Sequence, residues 1–252
     1  MIEARDLTVT RDGRKVLDRV AFHAAAGEVT SILGPNGAGK STLLAALAGL
    51  LPIEAGEVSI GGARLGELTA MQRARRVAYV PQRTELRSAL QVETVVSHGR
   101  YAHQAGLGRP GPADLEAVED ALRKADVLEL RGRRFDHLST GEQRRVLLAR
   151  ALATQAEVIL LDEPTAALDV RHALELHALL EALADDGLCL VAVLHGLDAA
   201  RRHTRRATLI DRGVVVAAGP SDEVIAPDFV RAVYGVELVE DAALGFRLGG
   251  PA

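Results

Sequence analysis

The stretch VTSILGPNGAGKST, residues 29–42, decides how the rest of this chain is read. Val29–Leu33 reads as an apolar strand, and the pattern from Ser41 to Ala48 is helical. Between and into them, Gly34, Pro35, Asn36, Gly37, Ala38, Gly39, Lys40, Ser41 and Thr42 fit G-x-x-x-x-G-K-[ST]. Glycines let such a loop curl until successive backbone N–H groups converge on phosphate oxygens. The helix start adds its own free N–H groups and the positive end of its dipole. Lys40 is expected on the β- and γ-phosphates and the Ser41 hydroxyl on Mg²⁺, so ATP and Mg²⁺ are the expected ligands. A strand before and a helix after weigh against a chance glycine-rich turn.

Carboxylates to serve those phosphates come from VILLDE, Val158–Glu163, which reads as a buried strand ending in two adjacent acids. Neighbouring residues on a strand point opposite ways. Asp162 therefore suits the metal shell, and Glu163 the attacking water, as its general base. His195 closes the apolar run Leu188–Leu194, where the tip of a parallel strand meets a ligand, and is a catalytic candidate. His172 and His177 are five apart, do not share a helix face, and read as solvated surface. The segment LSTGEQRR, Leu138–Arg145, poses a puzzle. It places a glycine turn after Ser139 and ahead of a helix, a second device for catching phosphate.

The 252 residues fit one large domain or a domain with a sizeable insertion. Hydrophobic content of 48% fills a core and 25% charged residues cover it. A net charge of −4 gives no electrostatic case for a nucleic-acid partner. The longest apolar runs, Leu43–Leu51 and Leu188–Leu194, fall short of the roughly 20 residues that span a bilayer, so no direct membrane insertion is expected. Met1-Ile2-Glu3 leads into a strand pattern with no signal peptide expected. The single cysteine, Cys189, lies in an apolar run and is expected to be an inert core residue in a reducing compartment. Lysine appears only at 15, 40 and 124. The excess of arginine elsewhere reads as codon bias rather than function, which sets Lys40 apart.

Strand-like runs recur at Leu7–Thr10, Val29–Leu33, Val58–Ile60, Val77–Val80, Val158–Leu161, Leu188–Leu194, Ala207–Ile210 and Val214–Val216. Several are continuously apolar, as strands buried on both faces should be. Helical patterns at Ser41–Ala48, Arg144–Ala153 and Leu174–Ala184 alternate with them, which argues for an α/β fold with a largely parallel sheet. The stretch from about Glu85 to Ala151 shows little strand signal and reads as helices broken at 106–112, an insertion in the core.

These pieces, in this order, resemble the ATP-binding cassette of ABC transporters over nearly the whole chain. The resemblance implies a P-loop NTPase (RecA-like) core with a mainly parallel sheet, an N-terminal antiparallel β region and an inserted helical subdomain. The core would be residues 1–84 and 152–252, and the helical subdomain 85–151. Gly34–Thr42 resembles Walker A and Val158–Glu163 Walker B. Gln82 is similar to the Q-loop glutamine that contacts Mg²⁺, Ala167-Leu168-Asp169 to the D-loop, and His195 to the switch histidine on the γ-phosphate. Leu138-Ser139-Thr140-Gly141-Glu142 resembles the signature LSGGQ, with Thr140 for its first glycine and Glu142 for its glutamine. In this family two cassettes pack head to tail. The signature residues Ser139, Thr140, Gly141 and Glu142 would therefore bind the ATP of a second copy, which answers the puzzle. The family stacks an aromatic on adenine after the first strand. Here Thr8–Gly13 contains none, and Arg11 either lays its guanidinium plane on the base or faces solvent.

Val95–Gln104, with its GRYAHQ, resembles an element of import cassettes for ferric siderophores, haem and cobalamin, and Val233-Tyr234-Gly235-Val236 resembles their close. It lies where coupling to the permease is expected. The resemblance implies the ATPase subunit of a bacterial importer on the cytoplasmic face of the membrane. Its partners would be a permease and, through it, a substrate-binding protein. The alternative is a soluble single-cassette ATPase acting as an assembly factor, against which GRYAHQ speaks. A small-molecule kinase would have no use for the signature and D-loop.

Overall fold

A computed structural model describes residues 1–82, 89–104 and 110–238. Its elements run β1 (Ile2–Arg11), β2 (Arg14–Ala24), β3 (Glu28–Leu33), α1 (Lys40–Leu47), β4 (Ala55–Ile60), β5 (Ala63–Arg64), α2 (Ala70–Arg76) and β6 (Val77–Val80). Three helices follow: α3 (Val92–Ser97), α4 (Pro112–Lys124) and α5 (Thr140–Ala153). Then strand and helix alternate as β7 (Val158–Asp162), α6 (Val170–Asp185), β8 (Cys189–Val193), α7 (Leu197–His203), β9 (Arg206–Asp211), β10 (Val214–Pro220), α8 (Ser221–Val224) and α9 (Pro227–Tyr234).

The central sheet has the order β10-β9-β3-β8-β7-β6, parallel throughout except for the antiparallel edge strand β10. Its strands alternate between two cores, as the two-residue period requires. Val158 and Leu160 of β7 face α1 and the second sheet, while Ile159 and Leu161 face α6 and the helices α3 to α5. Both faces are covered, which is why these strands read as unbroken apolar runs. The second sheet is antiparallel, β2-β1-β4-β5.

Strand β2 carries no clear signal in the sequence because three register shifts disturb its pairing with β1, the last of them leaving Val16 unpaired between Leu17 and Lys15. Leu7 pairs with Val20 and Val9 with Leu17, so β2 holds one extra residue there, and Arg19 takes it up at φ 47°. Asp6, at φ 48°, takes up the extra residue that β1 holds between Ala4 and Leu7. Each bulge breaks the alternation that would mark a half-buried strand.

Two expectations are corrected. The glycine turn at Leu138–Arg145 is not a turn: α5 starts at Thr140, so Gly141 lies within its first turn. Ser139 is the N-cap and Glu142 reaches back to the Ser139 N–H, at 2.7 Å, a capping box that starts the helix earlier than the apolar pattern at Arg144. His177 is not solvated surface but buried, on the α6 face that holds Leu176, Leu180 and Ala184. Its ring stacks on that of His203, centroids 4.5 Å apart. His172 is part-exposed in the first turn. The expected helix break at 106–112 lies mostly outside the described residues, and Pro112 opens α4. The expected insertion boundary near Glu85 also lies outside them.

Burial pushes the His177 imidazole down to about 4. The unfolded chain takes up that proton near pH 6.5, so between these values the unfolded state holds more protons and stability falls as pH falls. Wild-type protein is expected to lose up to about 3 kcal/mol through this group between pH 6.5 and 4. Urea denaturation of wild type and His177→Leu at pH 7.5 and pH 5 checks this. Equal pH sensitivity in the two would rule it out.

Candidate functional site

The parallel strands β3, β6, β7 and β8 end on one edge of the sheet, where chain reversals leave side chains and backbone N–H groups free for a ligand. Each strand delivers one part of the candidate site there: β3 the glycine loop, β6 Gln82, β7 Asp162 and Glu163, and β8 His195.

The loop is held from behind. Gly34, at φ 148°, lies so close to β9 that a Cβ would run into the Ile210 carbonyl oxygen. Gly39, at φ 106°, leaves 2.8 Å between a Cβ and Leu17 Cδ2. Only glycine fits both conformation and space there. Ala38 N–H donates to Pro35 O at 3.2 Å, and Ala38 O accepts from Gly213 N–H at 2.9 Å. The start of α1 has no side-chain cap and no acidic residue in its first turn, so its N–H groups and dipole are left for an anion. Lys40 Nζ donates to Gly34 O at 2.8 Å and Pro35 O at 2.9 Å. Burial holds its pKa below the usual lysine range, opposed by the nearby Glu163 and Asp162 carboxylates.

Asp162 is buried at the last position of β7. Its Oδ1 accepts from the Ser41 hydroxyl at 3.1 Å and its Oδ2 from the Tyr79 hydroxyl at 3.2 Å. Burial raises its pKa, partly offset by those two donors. Tyr79 is itself pushed up by burial and by the Asp162 charge. Tyr79 is a site residue to which the sequence reading assigned no role. Its only signal is a position three residues before Gln82, within β6. Glu163 lies one residue beyond the strand at φ 49°, so it is the left-handed backbone, not strand alternation, that turns it away from Asp162. One Glu163 oxygen accepts from Gln82 Nε2 and the other contacts His195 Nε2.

A cleft of about 660 Å³ opens over the loop, and Asp162, Tyr79 and Gln82 do not line it. Asn36, Gly37, Gly39, Lys40, Ser41, Thr42, Glu163 and His195 line it together with Arg11, Arg14 and Val16. Arg11 is exposed at the end of β1 and faces the cleft, beside two residues that the sequence reading did not single out, Arg14 and Val16. Ser139, Thr140, Gly141 and Glu142 do not line it. They sit at the start of α5, with Ser139 and Thr140 exposed, Glu142 part-exposed and Gly141 buried.

Among the described residues no cluster of three or more His, Cys, Asp or Glu could hold a metal by itself. Mg²⁺ fits such a site: it dehydrates reluctantly and is bound through one or two carboxylates plus substrate phosphates. The Ser41 hydroxyl and Asp162 carboxylate, 3.1 Å apart, are hard oxygen donors of that kind.

In the GRYAHQ element Arg100 is internal. It forms a buried ion pair with Asp114 at 2.9 Å and donates to Ala153 O and Gln155 Oε1 at 2.8 and 2.9 Å. The Arg100 guanidinium holds Asp114 below the usual carboxylate range. His103 Nε2 donates to Thr154 O at 2.8 Å. Tyr101, 60% exposed, stacks on His98 and is the face this element shows to solvent.

Comparison with known proteins bears on the family and the fold. A family model described as ABC transporter matches residues 17–166. The hemin import ATP-binding protein HmuV of Rhodococcus jostii is 41% identical over 98% of this chain and 85% of its own length. HmuV of Bordetella pertussis is 42% identical over 94% of this chain and 92% of its own. The bacterial ABC transporter cassette MJ0796, solved as a dimer, superposes with a TM-score of 0.75 at 28% identity, covering 88% of this chain and 99% of its own.

Proposed function

This chain belongs to the ABC transporter family as an ATP-binding subunit whose ATP hydrolysis is coupled to transport, and we propose that the compound its transporter imports is hemin. The observation that carries the cargo is the similarity to hemin import ATP-binding proteins along almost the entire chain. Cargo itself touches the permease and a substrate-binding protein, not this subunit. No helix among the described residues is long and apolar enough to cross a membrane. The subunit would reach the cytoplasmic face of the membrane through the permease, against which Tyr101 and His98 present a rigid aromatic pair.

In this reading the loop from Gly34 to Thr42 wraps the phosphates and Lys40 leaves its two carbonyls to pair with the β- and γ-phosphate oxygens. Ser41, Asp162 and Gln82 would hold Mg²⁺, which when bound neutralises charge on the β- and γ-phosphates. Tyr79 keeps the Asp162 carboxylate aimed at Ser41. Arg11, Arg14 and Val16 form the wall against which adenine would rest. The Glu163 carboxylate takes a proton from water as the water oxygen bonds to the γ-phosphorus and the bond to the β-phosphate oxygen breaks, giving ADP and phosphate. His195 orients Glu163 and reaches the γ-phosphate. Ser139 and Gly141 of a second copy complete the site, so ATP bridges two chains and its cleavage releases them.

Affinity purification from membranes of the native host, followed by mass spectrometry, tests the partner. A polytopic permease is expected. The recovered complex in proteoliposomes should raise its ATP turnover with hemin and its binding protein, and not with cobalamin or a ferric siderophore. Recovery of soluble partners alone would move the subunit to an assembly role.

A further inference from the structure

The starts of α5 and α6 meet outside the lining of the cleft. Asp169 caps α6, its Oδ1 accepting the His172 backbone N–H at 2.8 Å and contacting His172 Nδ1 at 2.8 Å. The ring so held lies next to Gly141 in the first turn of α5. A Cβ at 141 would stand 2.9 Å from His172 Cδ2 and 3.2 Å from Cγ, tighter than side chains tolerate. The ring cannot swing aside without giving up Asp169. One turn further along, Arg145 donates to Glu175 at 2.8 Å, a second rung between the same two helices. Arg145 is mostly buried, and Glu175 also holds Arg171. The segment Ser139–Glu142 and the loop ending at Asp169 are thereby fastened into one rigid piece.

We propose that His172 is a positioning residue that sets the Ser139–Glu142 helix start and the Asp169 loop in a single register toward the second copy's nucleotide, and that it is the His172 ring which restricts position 141 to glycine. This rests on the ATP-bridged dimer described above. His172 does not line the cleft that holds the chain's own phosphate loop. Its loss therefore acts on dimer closure and turnover, not on nucleotide capture by one chain.

The test uses the full chain as wild type, Gly141→Ala, His172→Ala and the double variant, each alone for turnover and in the Glu163→Gln background for ATP-dependent dimerisation. Gly141→Ala is expected to lose at least about tenfold in turnover and dimer affinity, and His172→Ala about threefold to tenfold, within the range of contact couplings. Fluorescent-nucleotide affinity of the monomers should stay within about twofold of wild type. The double variant should recover most of the Gly141→Ala loss, because the added methyl no longer meets a ring. If it is no better than Gly141→Ala, the glycine is required by phosphate approach alone and the proposal is overturned. Unchanged dimerisation in His172→Ala overturns it equally. Absence of any ATP-dependent dimer in Glu163→Gln alone would instead strike the dimer reading beneath it.

Discussion

Replacing Glu163 with Gln is expected to cut ATP hydrolysis by about 10²–10⁴-fold while leaving ATP binding intact. The amide has the size of the carboxylate and still accepts from Gln82 and meets His195, so the local geometry stands. It has no basic oxygen to take the proton of an attacking water. In the proposed mechanism nucleotide capture rests on the glycine loop, Lys40 and Ser41, which line the cleft and are not altered. With binding kept and cleavage blocked, ATP should hold two chains together, and size-exclusion chromatography with and without ATP will show a dimer only with it. Phosphate release at the wild-type rate would mean that Glu163 is not the base. Blocked hydrolysis with ATP bound but no dimer would remove the ATP-bridged arrangement.

The second large effect is structural. Gly34→Ala is expected to destabilise the protein by about 3 kcal/mol or more, because left-handed strain and a steric collision fall on one residue. The new methyl meets the Ile210 carbonyl of β9, a backbone atom inside the central sheet that has no room to retreat. For a chain of this size the loss lowers Tm by roughly 6–12 °C. Nucleotide binding should go with it, since Lys40 is anchored on the carbonyls of Gly34 and Pro35. Gly37→Ala separates the two causes. Gly37 has φ 79° but open space around it, so its alanine variant carries strain alone and should cost about 1–2 kcal/mol. Similar melting shifts for both variants would show that contact with β9 is not what fixes the loop.

The fold class was legible because a sheet covered on both faces writes itself as unbroken apolar runs. Val77–Val80 appears in the structure with those bounds, and Val158–Leu161 extends by only Asp162. What escaped was encoded in departures from a period. Strand β2 hides behind the bulges at Asp6 and Arg19. The start of α5 is set by the Ser139–Glu142 capping box, which binary patterning does not see. His177 looks like surface when judged by its distance from His172, yet it falls three or four residues from Ala173, Leu180 and the buried stripe of α6. The phosphate loop was legible as a motif, because spacing and residue type carry it. The hydroxyl of Tyr79 on Asp162 was not, since it depends on β6 lying beside β7, a pairing between strands 81 positions apart with no local signature. Glu163 shows the reverse case: strand alternation predicted that it would diverge from Asp162, and a left-handed residue produces the divergence instead.

Cys189 lies within β8, fully buried between the two sheets, and burial raises its thiol pKa, so the nucleophilic thiolate is scarce. The chain holds no other cysteine. It is thus already a silent background for maleimide chemistry. A cysteine engineered at an exposed position, such as Thr10 beside the cleft or Arg123 on α4, will be the sole thiol that a dye finds in the folded protein. Fluorophore pairs on two such chains would let closure and release be timed turnover by turnover without first stripping the native sequence.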